Sequence, residues 1–401
     1  MPPRLAEGID WVGYVDWAIR DFHGYQTRRG STYNAYLVRD EKVALIDTVK
    51  APYAGHMLGQ IAALTPVEKV DYIIVNHAEP DHAGALAAAV RACPNAEVVC
   101  DAKCRDTLSS YHDAAGWKWR IVKEGDRLSL GRRSLSFVEV PMVHWPESMF
   151  TYMPEEKILF PNDGFGQHYA SSGRFDDEQP LDEIMCEAKS YYANILMLYG
   201  RSIARALEKA SRLDIRMIAP SHGVIWRKNL GAILSAYQDW VKLKPQPKVV
   251  VMYDSIWKST EQMAHAVAEG AMRPGVEVKL HWVRATNMTD IAADVLDAAA
   301  LAFGSPTLNS GMMPQMAALL TYLEGLRPAG KAVLAFGSYG WGKGGVAKMQ
   351  AHLEAMQLVG VREPIQCPYV PTAAVLGECR AAGALLADKA AAAKAALGIG
   401  R

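Results

Sequence analysis

The chain reads as a two-domain α/β protein, a layered mixed-sheet domain followed by a doubly wound parallel sheet. Its 401 residues are enough for two domains that each bury a core of their own. The first 245 residues carry short apolar runs cut by turn residues, whereas strands and helices alternate strictly after residue 248. Between these regions Lys244-Pro245-Gln246-Pro247-Lys248 reads as a short, stiff connector. The expected domains are 1–245 and 246–401.

Composition excludes several classes of function. Hydrophobic residues make up 50% and charged residues 21%, ordinary values for a globular protein. A formal net charge of +0 gives no bulk attraction to nucleic acid or anionic membrane. No long uncharged apolar span occurs, and the opening MPPRLAEGIDWVGYVDW lacks the order of a signal peptide. A cytoplasmic protein is expected. The cysteines 93, 100, 104, 186, 367 and 379 form no CxxC pair, so a zinc ribbon, a thioredoxin motif and a rubredoxin-type iron site are all excluded. Scattered thiols suit a reducing compartment.

In the first half, Trp11–Val15, Thr32–Val38 and Val43–Thr48 read as a strand meander. A helix over 53–64 separates it from the buried strand Tyr72–Val75, and further strands are expected at Glu97–Cys100, Trp119–Val122, Leu128–Leu130 and Leu135–Val140. Outer helices would complete a layered domain. The strand Tyr72–Val75 discharges into His77-Ala78-Glu79-Pro80-Asp81-His82. Four metal-capable side chains in six residues suit divalent zinc, iron or manganese. Alternation along an extended chain sends His77, Glu79 and Asp81 the same way, and His82 can swing in from the turn. A solvated acidic loop is the bland alternative; with 11 histidines in the whole chain, two of them there by chance is disfavoured. Three more apolar runs end in His144-Trp145-Pro146, Pro161-Asn162-Asp163 and Pro220-Ser221-His222-Gly223. One such strand end would be an ordinary loop; four in one domain suggest a metal centre.

In the second half, strands are expected at Val249–Tyr253, Glu277–Val283, Ala300–Gly304, Ala332–Phe336 and Ile365–Tyr369, with helices beginning near Thr260, Thr289, Gln315, Gly345 and Ala374. Ligands of such sheets bind beyond the carboxyl ends of the strands. The first loop there, Asp254 to Thr260, carries Ser255, Trp257, Ser259 and Thr260, hydroxyls and amides suited to a phosphate. It is neither GxGxxG nor GxxxxGK[ST], which disfavours a dinucleotide or a P-loop. The next ligand loops carry Ser305, Pro306, Thr307, Leu308 and Asn309, and then Ser338, Tyr339, Gly340, Trp341 and Gly342. Small residues admit a flat ring, and Tyr339 and Trp341 offer stacking faces.

The motif His77-x-Glu79-x-Asp81-His82, with a distant His, Asp and His, resembles the metallo-β-lactamase fold. Glu79, where hydrolases have His, resembles the flavodiiron proteins (A-type flavoproteins) in particular. So do Arg28-Arg29-Gly30, Thr32–Tyr36, His144–Met149, Asn162–Gln167, Tyr191–Ile195 and Pro220–Gly223. The loops of the second half resemble those that bind FMN in flavodoxins, though Trp257 and Lys258 stand where Thr and Gly are common. The resemblance implies a metallo-β-lactamase-like αββα sandwich joined to a flavodoxin-like domain. It implies two non-haem irons, one held by His77, Glu79 and His144, the other by Asp81, His82 and His222, with Asp163 bridging. In some relatives the residue equivalent to His82 points away. Tyr192, His23 and Trp145 are candidate supporting groups around the ligands.

The activity implied is reduction of dioxygen to water, nitric oxide to nitrous oxide, or both, with electrons relayed through FMN. The donor implied is external, rubredoxin foremost, because the chain ends soon after its last helix; a deazaflavin donor is the alternative. The family places FMN far from the metals within one chain, which implies a head-to-tail homodimer or a dimer of dimers. No nucleic-acid or membrane partner is expected. Two other readings compete: a zinc hydrolase fused to a flavodoxin-like module that lost its cofactor, and a flavin electron carrier with a relic metal domain. Glu79 counts against the first, and the complete set of ligand-type residues counts against the second. The residues do not rank dioxygen against nitric oxide.

Overall fold

The computed structural model describes residues 2–396. Two compact units emerge: one runs to Tyr191 and resumes over Tyr199–Val241, and the other takes Tyr192–Leu198 and the chain from Lys242 onward.

The first unit is built on two sheets. The larger orders its strands Arg4–Ala6, Ile9–Trp11, Tyr36–Arg39, Val43–Ile46, Val70–Ile74, Glu97–Cys100 and Trp119–Ile121. The smaller orders Arg127–Ser129, Ser134–Glu139, Met149–Met153, Ile158–Phe160 and Met217–Ile218. Alternation along each strand divides the larger sheet between two cores. Val38, Ala44, Ile46, Ile74 and Val99 pack with Leu135, Phe137, Met153 and Phe160 of the smaller sheet. Their neighbours Leu37, Leu45, Ile73 and Val98 face helix residues Met57, Ile61, Leu86, Ala89 and Leu108. The result is the expected layered sandwich.

The opening meander differs from expectation in an instructive way. Trp11–Val15 and Thr32–Val38 are each broken in the middle. Ile9–Trp11 pairs with Tyr36–Arg39, whereas Tyr14–Asp16 pairs with Ser31–Tyr33 in a separate ribbon. The breaks face each other at Gly13 and Asn34. A Cβ on Gly13 would lie 2.2 Å from the Tyr33 carbonyl, and the Trp11 indole N–H donates to Asn34 Oδ1 across the gap at 2.8 Å. Glycine inside a strand marks such close backbone approach.

The second unit is a parallel sheet ordered Glu277–Trp282, Gln246–Tyr253, Ala298–Gly304, Ala332–Tyr339, with Ile365–Pro368 beside the last. This is the doubly wound order with its switch point between the first and third strands in sequence. The helices are Ser259–Ala271, Met288–Leu296, Pro314–Leu326, Gly345–Ala355 and Ala373–Ala396. A short strand, Val359–Gly360, lay outside the sequence expectation; it pairs with the start of Ala332–Tyr339. The connector is shorter than expected, because Gln246 already belongs to a strand and its N–H donates to the Asp297 carbonyl at 2.7 Å. The strand register shifts between Gln246 and Val249, which accommodates Pro247 without a ladder donor.

Candidate diiron and flavin sites

The strand Val70–Ile74 aims the first site, and its far end is fixed before any ligand residue begins. Asn76 donates from its backbone and side chain to the two oxygens of Asp47, at 2.8 and 2.9 Å, and accepts from Thr151 Oγ1 at 2.6 Å. Beyond it the extended chain carries His77 and Glu79, but Asp81 arrives differently from expectation. Pro80–Ala83 is a helical turn with Pro at its start, a position where the fixed proline φ favours helix. The turn, rather than strand alternation, delivers Asp81 and His82 side by side. Gly84 closes it, since a Cβ there would lie 2.3 Å from the Pro80 carbonyl.

The expected residues converge into two adjoining groups. In the first, Glu79 Oε2 lies 3.1 Å from His77 Nε2 and 3.1 Å from His144 Nε2. In the second, Asp81 Oδ2 lies 3.3 Å from His82 Nε2 and 3.0 Å from His222 Nε2. Asp163 stands between them. Its Oδ2 is 3.5 Å from His77 and 3.2 Å from His144, and its Oδ1 is 3.0 Å from His82 and 3.4 Å from His222. His82 therefore turns into the site.

The donor chemistry fits two metal ions. The oxygens of Asp81 and Asp163 and the Nε2 atoms of His82 and His222 are buried without hydrogen-bond partners, although each group is costly to bury unpaired. Atoms that approach to about 3 Å without hydrogen-bond geometry are aimed at a common point rather than at each other. Three carboxylates with four imidazoles form an oxygen-rich set, suited to iron or manganese as well as zinc.

Electrostatics within the groups are strongly coupled. Burial pushes the Glu79 carboxyl up, but hydrogen bonds from His144, His23 and His77 outweigh it and hold the group ionised far below the usual carboxylate range. Asp163 is likewise held down against burial, chiefly by the charge of His82 and then by the facing imidazoles of His144 and His222. Burial pulls His144 and His222 down, but the facing carboxylates hold them up, to about 9 and about 10. Metal ions bound here would therefore displace protons from these rings.

Supporting groups surround these atoms. His23 Nε2 meets the outer oxygen of Glu79 at 3.0 Å, and Trp145 lies edge-on to His77 with ring centroids 5.1 Å apart. His222 Nδ1 donates to the Thr32 carbonyl at 2.6 Å. Tyr192 belongs to the segment that groups with the second unit; the ring that approaches His222, at 6.0 Å, is that of Tyr191. Two groups escaped the sequence reading. Glu147 accepts from His77 Nδ1 at 2.8 Å, and the buried His168 bonds Tyr25 Oη at 3.0 Å and Ser31 Oγ at 2.8 Å. A cavity of about 400 Å³ lined by Phe22, His23, Lys50, Glu79 and Asp81 adjoins the site. Lys50 Nζ sits 3.9 Å above the Phe22 ring, and burial pulls its ammonium down.

The second unit gathers its loops at the carboxyl ends of the strands. Thr260 Oγ1 and Ser338 Oγ are 3.0 Å apart, and Thr307 N–H donates to the Ser338 carbonyl at 2.8 Å. Thr307 Oγ1 accepts from the Gly345 amide at 3.1 Å, and Ser305 Oγ accepts from the Met313 amide at 2.9 Å. A Cβ on Gly337 would lie 1.9 Å from the Ser305 carbonyl, so glycine lets two of the loops touch. Asp254, missed by sequence, accepts from the Ser255 amide and from Arg284 Nε, both at 2.7 Å, and sets the first loop. Ser259 is buried at the start of its helix, Pro306 is buried, and Leu308, Tyr339 and Gly340 are half-buried, with Asn309 and Gly342 exposed.

The fit to FMN is good. The Ser255 hydroxyl is buried without a hydrogen-bond partner, Gly340 and Gly342 leave space for a flat ring, and Trp257 and Trp341 are 88% and 97% exposed. Lys258, where such loops commonly have glycine, takes φ +67°, the left-handed conformation glycine favours.

Known proteins share both halves. A family model described as ODP family beta lactamase matches residues 32–223, and one described as flavodoxin matches 251–365. The chain is 45% identical to a nitric oxide reductase of Moorella thermoacetica over 97% of this chain and 98% of that one. It is 40% identical to the rubredoxin-oxygen oxidoreductase of Megalodesulfovibrio gigas, over 92% and 93%. The flavodiiron protein from Giardia intestinalis superimposes with a TM-score of 0.96 at 40% identity, covering 98% of this chain and 97% of that one. With relatives this similar over nearly their whole length, and both halves of the site present, the chain belongs to the flavodiiron proteins.

Proposed function

We propose that the protein reduces dioxygen to water, nitric oxide to nitrous oxide, or both, at two irons, with electrons relayed through FMN. The observation that carries this reading is Asp163, which turns one oxygen to each of two ligand groups in a chain that also has a flavodoxin-like unit. His77, Glu79 and His144 would hold one iron and Asp81, His82 and His222 the other. Ser255, Trp257, Ser259, Thr260, the Ser305–Asn309 loop and the Ser338–Gly342 loop would hold FMN. Bound there, the irons and FMN would supply redox chemistry that passes on electrons from the external donor: four, with four protons, for dioxygen to two waters, or two, with two protons, for two nitric oxide molecules to nitrous oxide and water.

The residues contribute position and environment. Asp163, with one oxygen toward each histidine group, would hold two cations at neighbouring positions. His23 holds the outer oxygen of Glu79, leaving Oε2 turned inward. Phe22 and Trp145 place apolar surface against the ligands and limit water there. A zinc hydrolase has no use for the flavin unit. The electron donor is proposed to be a separate protein such as rubredoxin, the assembly a head-to-tail homodimer or a dimer of dimers, and the location the cytoplasm. Among the described residues no helix is long and apolar enough to cross a membrane.

Metal analysis, a visible spectrum and steady-state reduction of each gas by reduced rubredoxin test the proposal. Two irons and one FMN per chain with turnover of either gas are expected. Zinc with no flavin absorbance, or no turnover of either gas in the iron- and FMN-loaded protein, overturns it.

A further inference from the structure

Among the described residues, one ligand histidine is backed by a carboxylate and the others are not. His77 Nδ1 lies 2.8 Å from Glu147 Oε1, which also accepts from the Ala78 amide at 3.1 Å. Glu147 is buried, as is His77. The opposite group has a weaker counterpart: His222 Nδ1 donates to the neutral carbonyl of Thr32. A carboxylate behind an imidazole fixes which nitrogen carries the proton, orients the ring and raises the electron density on the ligating nitrogen. A carbonyl fixes the same tautomer with less polarisation.

We infer that Glu147 is a positioning residue that makes the two metal positions unequal, strengthening the one formed by His77, Glu79 and His144. Its reach is specific. Glu147 bonds His77 and the amide of the next residue, so it sets both the ring and the backbone from which Glu79 follows. Nothing equivalent joins it to Asp81, His82 or His222. The inference rests on the two-metal reading above and concerns binding at one position, not gas turnover.

The test is a titration of the metal-free full-length protein with Zn²⁺ against a chromophoric chelator, in wild type, Glu147→Gln and Glu147→Asp. Glutamine keeps the shape and loses the charge; aspartate keeps the charge. In Glu147→Gln one of the two ions is expected to bind 10- to 100-fold more weakly and the other as in wild type. Glu147→Asp is expected to recover part of that loss. Equal weakening of both ions would mean a merely structural role and would overturn the inference, as would two wild-type affinities in Glu147→Gln. A Glu147→Asp variant no better than Glu147→Gln would also count against it, since charge would then be irrelevant. Binding of only one Zn²⁺ by wild type would instead refute the two-metal reading itself.

Discussion

The loop that carries His222 is tied to the broken meander by Asn34, and the structure sets how much that tie is worth. Asn34 Nδ2 donates to the carbonyls of Pro220 at 2.7 Å and Gly223 at 3.1 Å, while Oδ1 accepts from Trp11 Nε1. Asn34→Ala removes all of these. The Pro220 carbonyl keeps the Tyr36 hydroxyl at 2.7 Å, and Gly223 keeps a longer bond from Thr32 Oγ1. The buried Trp11 indole N–H is left stranded. One stranded donor at about 1–3 kcal/mol and two lost bonds at about 0.5–1.5 kcal/mol each give a loss of about 2–6 kcal/mol. Tyr36→Phe should lose only about 1 kcal/mol, because Asn34 still serves the same carbonyl. In the double variant that carbonyl has neither donor, so the pair should cost about 1–2 kcal/mol more than the sum of the singles. Urea unfolding of the metal-free protein, followed by tryptophan fluorescence and circular dichroism at a common m value, reads these differences. Equal losses in the two single variants, or strict additivity in the double, would refute the reasoning.

Glu79→Ala should abolish reductase turnover and leave FMN bound, as read by gas consumption and the flavin spectrum; a variant that loses FMN as well would contradict the division of labour between the units. Trp341→Ala, at a 97% exposed position, should change stability by less than about 0.5 kcal/mol, yet weaken FMN binding by the about 0.5–1.5 kcal/mol of a lost aromatic contact, measured by fluorescence titration. Asp294 is held below its usual range, against burial, by His281 and then Lys248. Its stabilisation is therefore present above about pH 3.9 and lost as pH falls through the depressed folded value, so the acid-induced drop in the urea midpoint should shrink in Asp294→Asn. Lys258→Gly should relieve the left-handed φ, while the greater freedom of glycine in the unfolded chain offsets part of the gain. A net stabilisation of at most about 1 kcal/mol is expected, and clear destabilisation on thermal unfolding would count against strain at that position.

The side chains that converge in the first unit were legible because most of them stand at the end of an apolar run, where a strand hands a polar side chain to a loop. This held for His77, His144, Asp163 and His222, which lie far apart in sequence yet share one end of the sandwich. The route of Asp81 was less legible, because Pro80 turns an extended segment into a helical one and replaces alternation by consecutive placement. Glu147 and His168 were not legible at all. Their partners His77 and Tyr25 are 70 and 143 residues away, and nothing local distinguishes Glu147 from a solvated glutamate beside His144. The broken strands had a local signal in Gly13, but its meaning depends on the facing Asn34. The loops gathered at the carboxyl ends of the second unit's strands stood out by their small and hydroxyl residues, whereas Asp254 reads as a plain strand terminus until Arg284 is seen against it.

Glu79 separates this site from an imidazole-rich hydrolytic one, and its surroundings show that the choice of residue there reaches His23. Its inner oxygen meets His77 and His144, and its outer oxygen meets His23. A carboxylate can do both, since two oxygens accept in different directions. An imidazole at position 79 could turn one nitrogen inward, but its other nitrogen would face His23, where one ring must donate and the other accept, or two charged rings repel. The carboxylate at 79 and the histidine at 23 are thus a coupled choice. A conversion toward a three-histidine hydrolase site would therefore confine His23 to a neutral, accepting tautomer or replace it, and replacement would repack Phe22, stacked on His23 at 4.0 Å.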